Sequence, residues 1–117
     1  MKDGECYQDS NARILPYYVG TDNSRMTPSL CKKLCFEDRN FVYAGVQFKG
    51  QCFCGNQRPD FKIHLDQSKC NMKCPGDSSK YCGASWKMNV YGRYGKEKIL
   101  FLLKAGAAYV GIRKFAT

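Results

Sequence analysis

Apolar and polar positions in residues 26–40 alternate with the period of an α-helix. Thr27 is a good N-cap, because its hydroxyl can accept a hydrogen bond from a free amide of the first turn. Pro28 suits the first helical position, where its missing N–H costs nothing, and Asn40 can end the helix. The pattern predicts one main helix over about 28–39. Its apolar face would carry Leu30, Cys31, Leu34 and Cys35.

Two short stretches after this helix have the composition of β-strands. Residues 41–48 read FVYAGVQF and residues 51–55 read QCFCG, and both are rich in side chains that favour strands. The intervening KGQ is a short turn, so the two stretches are predicted to form an antiparallel hairpin under the helix. The predicted fold class is therefore α+β, with one main helix packed on a small antiparallel β-sheet.

Cysteines change this picture, because all eight lie in the first 82 of 117 residues. An even number in one segment indicates a small disulfide-rich domain, which forms in an oxidising compartment. Cys31 and Cys35 would lie about 6 Å apart along one helix face, and Cys52 and Cys54 about 6.6 Å apart on one strand face. The matching distances predict two helix-to-strand disulfides, but spacing alone allows both the direct and the crossed pairing.

The other four cysteines are paired by locality. The sequence CPGDSSKYC from Cys74 to Cys82 is full of turn formers, so Cys74–Cys82 is the local choice. Cys6 is then left for Cys70, in a long link between the N-terminal segment and the second half of the domain.

Zinc is the competing explanation for cysteine pairs. The spacings here are C-x3-C, C-x-C, C-x3-C and C-x7-C, and they differ from the usual finger spacing. The single histidine, His64, is expected to be exposed rather than a ligand. We therefore expect no bound metal and no cofactor.

The net charge of +9 is distributed unevenly. Residues 93–117 hold six Lys and Arg against one acidic residue, but no nucleic-acid-binding motif accompanies them, so a nucleic-acid partner is not predicted. The apolar stretch Ile99–Ile112 is too short and too interrupted for a transmembrane span. We expect a folded cysteine-rich domain over 1–92 and a basic, partly apolar tail over 93–117 that is dispensable for folding.

Five motifs in this order resemble a WSC domain over about residues 4–92. They read ECYQDSNARIL (5–15), MTPSLCKKLC (26–35), YAGVQFKGQCFCGN (43–56), CNMKCPGDSSKYCG (70–83) and NVY (89–91). The resemblance implies an extracellular carbohydrate-binding module of the kind found in fungal cell-wall sensors, glucan-acting enzymes, Kremen-type receptors and polycystin. Ala84 departs from the family, which often has a second glycine there.

The resemblance also implies the disulfides and the cellular location. The family register gives the pairing Cys6–Cys70, Cys31–Cys52, Cys35–Cys54 and Cys74–Cys82. No apolar leader precedes Cys6. Either the chain is part of a longer secreted or membrane-anchored protein, outside the cell or at its surface, which is the interpretation we adopt, or its true start lies further upstream. A cytosolic protein is the third option, and the cysteines argue against it.

Candidate binding residues are polar and aromatic side chains in turn-rich segments. Protein modules hold sugars by laying aromatic rings on the apolar faces of the pyranose, and loops place such rings at the surface. Tyr17 and Tyr18 in the predicted loop LPYYVGTDN and Trp86 in GASWKMN are the candidates for stacking. Asn56 and Asp77, each after a glycine, are candidates for hydrogen bonds to hydroxyls, although turn residues more often bond backbone groups.

Catalysis is not expected from these residues. All eight cysteines are assigned to disulfides, one histidine cannot pair with a nucleophile by sequence proximity, and the carboxylates are scattered among turns. The sequence therefore predicts a protein that is not an enzyme, with a polysaccharide or glycan as its partner. A protein-interaction or spacer module of a receptor ectodomain is the alternative, and a small secreted cationic protein is a third hypothesis.

Overall fold

The computed structural model describes residues 4–94, which form one helix packed on antiparallel β-structure. The elements are β1 Glu5–Gln8, β2 Tyr17–Thr21, α1 Pro28–Lys32, β3 Tyr43–Gln47, β4 Gln51–Gly55, β5 Lys73–Cys74, β6 Asp77–Tyr81 and β7 Lys87–Gly92. Five strands make one sheet in the order β1-β7-β3-β4-β2, and β5 and β6 form a separate hairpin. This arrangement confirms the predicted α+β class.

The helix begins where the sequence predicts. Thr27 caps it, its hydroxyl accepting a 3.0 Å hydrogen bond from the Leu30 amide. After α1 the chain continues as a π-helical turn, Lys33–Glu37, in which the amide of Asp38 bonds the carbonyl of Lys33. The helical region therefore ends two residues before the predicted end at 39. Asn40 follows in the left-handed region with φ 60°, a conformation that Asn tolerates better than most residues.

The predicted hairpin is the centre of the sheet. β3 pairs with β4 in a regular register that places Gly45 opposite Phe53 and Val46 opposite Cys52. β2 is the difference from the sequence prediction, which placed residues 17–21 in a loop. The segment pairs with β4 as an edge strand, with a bulge between Tyr18 and Gly20. Turn formers on both sides of this short strand favoured the loop prediction. The strand forms because its backbone pairs with the edge of β4.

Four disulfides join all eight cysteines of the sequence. Cys31–Cys52 and Cys35–Cys54 are the direct pairing of helix to strand, each with Cα atoms 5.5 Å apart. The crossed pairing that spacing alone allowed does not occur. The remaining bonds are Cys6–Cys70 and Cys74–Cys82, so all four disulfides are those that the family register implied.

The two faces of the sheet are covered differently. The helix and the β5–β6 hairpin cover one face, where the helix-to-strand disulfides pack with Val46, Met26 and Tyr91. The segment between β1 and β2 crosses the other face, on which Leu15, Tyr7, Phe53, Met88 and Val90 are buried together. We call the two sides the helix face and the open face.

Gly45 makes close packing on the open face possible. A Cβ atom at this position would lie 2.2 Å from the Met88 sulfur and 3.0 Å from Leu15 Cδ1. The absence of a side chain therefore lets Leu15 and Met88 lie directly on β3.

Within residues 4–94, no helix has the length and apolar character needed to cross a membrane. The stretch Ile99–Ile112 and the rest of the tail beyond Tyr94 lie outside the described residues. The division at residue 92 stays a prediction.

Candidate functional site

Four side chains pack into one continuous cluster on the open face. The Tyr18 ring lies 5.2 Å from the Phe53 ring, centroid to centroid. The guanidinium carbon of Arg13 lies 5.2 Å from the centroid of Phe53 and 4.7 Å from that of Trp86. Phe53 is buried beneath this group, whereas Tyr18 and Trp86 are 50% and 43% exposed. We call Tyr18, Phe53, Arg13 and Trp86 the aromatic platform.

A tight turn presents Trp86. Ala84 and Lys87 exchange backbone hydrogen bonds of 2.9 and 3.1 Å, so Ser85 and Trp86 are the two turn residues. The carbonyl of Trp86 accepts from the Asp9 amide at 2.8 Å and from the Gln8 side chain at 2.7 Å. The φ angle of Trp86 is 58°, in the left-handed region, and this conformation costs a residue with a Cβ roughly 1–2 kcal/mol. Glycine or Asn would fit this backbone at lower cost.

Arg13 is held in place by a buried carboxylate. Its Nη1 donates a 2.7 Å hydrogen bond to Asp9 Oδ2, and Asp9 Oδ1 accepts from the Ile14 amide at 3.1 Å. The Asp9 side chain is fully buried, and that of Arg13 is 36% exposed. Sequence reasoning missed Arg13. The spacing of four residues between Asp9 and Arg13 is the one sequence signal for the pair. The turn formers between them indicate a loop, in which this spacing does not predict a contact.

Polar groups continue the platform beside Tyr18. The Tyr18 hydroxyl forms a hydrogen bond with the Thr21 hydroxyl. Thr21 is the cross-strand partner of Gln51, so a hydroxyl and an amide lie on the same face as the Tyr18 ring.

The predicted aromatic candidates do not form one site. Tyr17 and Tyr18 are consecutive in a strand, so they point to opposite faces of the sheet. Tyr17 contacts Phe41 at 5.3 Å and lies 6.0 Å from the Arg39 guanidinium, on the helix face. The structure therefore brings Tyr18 and Trp86 together through Phe53 and Arg13, and separates Tyr17 from them.

The polar candidates lie elsewhere and bond protein groups. Asn56 Oδ1 accepts from the Val42 amide at 3.1 Å. Asp77 Oδ1 accepts from the Ser79 hydroxyl at 2.6 Å and from its amide at 2.9 Å, and these bonds hold the pKa of Asp77 below its usual value. Asp77 also lines a groove of about 400 Å³ between the helix and β6, together with Lys32, Lys80 and Tyr81.

His64 is not the plain exposed residue that the sequence predicts. It is partly buried, with its ring 5.3 Å from that of Tyr7 and 5.1 Å from that of Phe61. The backbone of residue 64 bridges to Tyr7, and this pairing brings the ring under cover.

One group of three cysteine sulfurs has the proximity of a metal site. The sulfurs of Cys31, Cys35 and Cys52 lie within 4.8 Å of one another. All three are bonded in the helix-to-strand disulfides. Cysteine binds a metal as its thiolate, and these three sulfurs are in disulfides, so the group is a structural cluster.

The direct pairing of helix to strand and the sheet around it define a small disulfide-rich α+β domain. The chain belongs to the WSC domain family, whose model matches residues 4–84. The match ends before β7, so the described fold continues beyond it by one central strand.

Three relatives show the settings in which similar chains occur. The protein named xylosyltransferase oxt of Drosophila pseudoobscura pseudoobscura is 41% identical over 88 residues, covering 74% of this chain and 10% of the relative. Its namesake in Drosophila melanogaster is 36% identical over 87 residues, with the same shares. A WSC domain-containing protein of Arthroderma benhamiae is 29% identical over 86 residues, covering 74% of this chain and 12% of the relative. The chain thus spans about a tenth of these relatives.

These relatives correct the prediction that the protein is not an enzyme. Two of them carry the name xylosyltransferase. The prediction was wrong because it rested on the lack of a catalytic constellation within 117 residues, whereas the matched segment is a tenth of proteins named as enzymes. The four disulfides and the family together indicate an extracellular or secretory context that is related to carbohydrates.

Proposed function

We propose that this domain is a carbohydrate-binding module and that the aromatic platform is its binding surface. The observation that carries the proposal is the backbone of Trp86. A large ring occupies a left-handed turn position, half exposed, where glycine would avoid the conformational cost. A residue kept in such a conformation points to a function of its side chain.

The chemistry of the platform suits a saccharide. Pyranose rings have apolar C–H faces that stack on aromatic rings, while their hydroxyl groups need hydrogen-bond partners. Tyr18 and Trp86 supply exposed rings, and Arg13, Gln51 and Thr21 supply polar groups beside them. Each stacked ring contributes about 1 kcal/mol, so one domain would bind with modest affinity, and neighbouring modules or repeated sugar units would raise the apparent affinity.

The names of the relatives suggest the setting. We propose that the domain belongs to a longer xylosyltransferase-like protein of the secretory pathway or cell surface, and that it holds a glycan near the catalytic part. A carbohydrate-binding module linked to an enzyme raises the local concentration of its glycan target.

The test is a pull-down of the domain on insoluble β-glucan and xylan. Trp86→Gly removes the ring and relieves the backbone, so binding should fall several-fold while the melting temperature stays equal or rises. Tyr18→Ala should also weaken binding. Tyr17→Ala and Tyr81→Ala remove rings of similar exposure on the helix face and in the groove, and they should leave binding unchanged.

Three results would contradict the proposal. Unchanged binding in the Trp86→Gly, Tyr18→Ala double variant would place the site elsewhere. Loss of binding with Tyr81→Ala or Asp77→Ala alone would move it to the groove. If the intact domain binds no glycan, the alternative of a protein-interaction or spacer module in an ectodomain gains support.

A further inference from the structure

The one charged side chain of the aromatic platform has its charge balanced within the protein. Arg13 lies against both the Phe53 and the Trp86 rings. Its Nη1 is 2.7 Å from a carboxylate oxygen of Asp9, whose side chain is fully buried. The positive charge of the platform is therefore paired with a negative charge directly beneath it.

Two further hydrogen bonds fix the position of Asp9. Its other oxygen accepts from the Ile14 amide, and its own amide donates to the Trp86 carbonyl. A buried carboxylate without its partner is strongly destabilising. The Asp9–Arg13 pair is thus a fixed part of the platform.

Pairing cancels charge but leaves hydrogen-bond donors. A guanidinium has five N–H groups in one plane, and the bond to Asp9 uses one of them. The Arg13 side chain is 36% exposed. The remaining N–H groups of Arg13 lie in one plane, and the positive charge is largely cancelled by Asp9. Such donors suit the oxygens of two adjacent, uncharged hydroxyl groups.

Resting on the proposed function, we infer that the Asp9–Arg13 pair determines the charge class of the ligand. It selects uncharged saccharides that present two adjacent hydroxyl groups, and it gives acidic saccharides no advantage at the platform. This goes against the net charge of +9, which alone would favour acidic glycans at any part of the surface.

The test compares β-glucan with the same β-glucan partly carboxylated at its primary hydroxyls. The basic surface will hold the carboxylated form nonspecifically. We therefore compare the platform-dependent binding, which is the binding of the unmodified protein minus that of Trp86→Gly. Platform-dependent binding should be greater for neutral β-glucan, and it should change less than about twofold between about 0.01 M and about 1 M salt, over which the Debye length falls from about 30 Å to about 3 Å.

Asp9→Asn is the decisive variant, because it keeps an oxygen for the Ile14 amide and leaves the Arg13 charge uncompensated. The ratio of platform-dependent binding, carboxylated over neutral, should rise about two- to fivefold at low salt, the range of an exposed ion pair. A merely structural role of Asp9 would lower both values together. If Asp9→Asn does not fold, the ratio and salt dependence of the unmodified protein decide.

The outcomes separate this inference from the proposed function. Platform-dependent binding that prefers the carboxylated glucan in the unmodified protein, or an unchanged ratio in a folded Asp9→Asn variant, overturns the inference alone. Absence of any platform-dependent binding overturns both.

Discussion

The phenol of Tyr7 donates a 3.1 Å hydrogen bond to the carboxylate of Glu5, two residues earlier on the same face of β1. Tyr7 is 1% exposed. Burial, reinforced by the bond to Glu5 and its negative charge, raises the pKa of Tyr7 to about 12. The neutral phenol is therefore part of the folded state.

This pKa predicts a loss of stability in alkali. A raised pKa means that the unfolded chain releases the proton first, so the contribution of Tyr7 is complete below about pH 10 and is lost as the pH rises towards 12. Denaturant unfolding at several pH values should show the free energy of unfolding falling over this range. In Tyr7→Phe the fall in the free energy of unfolding should be smaller, because Phe does not ionise. It should not vanish, because the other titrating groups remain. An identical slope in both proteins would show that Tyr7 is not responsible.

The disulfides differ in how much each should stabilise the fold. Cys6–Cys70 closes a separation of 64 residues, and Cys74–Cys82 one of 8. From loop entropy, replacing the first pair by Ala should cost about 4 kcal/mol and replacing the second about 2.5 kcal/mol. Guanidinium unfolding of the two double variants measures this. The reverse order would mean that native-state packing, rather than chain entropy, dominates.

How far the sequence alone could go is shown by the elements around the cysteines. The helix start, the hairpin and the α+β class follow from local signals, since Thr27, Pro28 and the runs of β-formers each act within a few residues. The choice between direct and crossed disulfides depends on the direction of the helix over the strand, which spacing does not contain. The π-helical turn Lys33–Glu37 had no signal in the sequence.

The candidate site was only partly within reach of the sequence. Exposed rings at Tyr18 and Trp86 could be proposed from turn-rich surroundings. The separation of Tyr17 from Tyr18 requires knowing that the segment is a strand, and that knowledge comes from its pairing with β4. The role of Arg13 depends on contacts with Phe53 and Trp86, 40 and 73 positions away in the sequence, which no local pattern reports.

Gly45 should be intolerant of a side chain. The added methyl of Gly45→Ala would meet the Met88 sulfur at 2.2 Å and Leu15 at 3.0 Å in a closely packed region, and overpacking costs about 1–3 kcal/mol. Chemical denaturation of Gly45→Ala, Met88→Ala and the double variant tests the cause. The double variant should lose less than the sum of the single losses, because the shorter side chain makes room for the methyl. Additive losses would show that the contact with Met88 is not the source.

The C-terminal boundary of the domain should lie just after Arg93 rather than at Gly92. The amide of Arg93 donates a 2.8 Å hydrogen bond to the Val42 carbonyl, and its guanidinium donates to Asn40 Oδ1 at 2.6 Å. These bonds attach the end of β7 to the connection between the helix and β3.

Two truncations locate this boundary. A chain ending at Gly92 loses both bonds and should be about 1–3 kcal/mol less stable than the 117-residue chain, because each intramolecular hydrogen bond contributes about 0.5–1.5 kcal/mol. A chain ending at Tyr94 should match the 117-residue chain within about 0.5 kcal/mol, and both truncated chains should form all four disulfides by non-reducing peptide mapping. If the chain ending at Tyr94 instead loses several kcal/mol, the stretch around residues 99–103 contributes to the core, and a tail dispensable for folding is the wrong description.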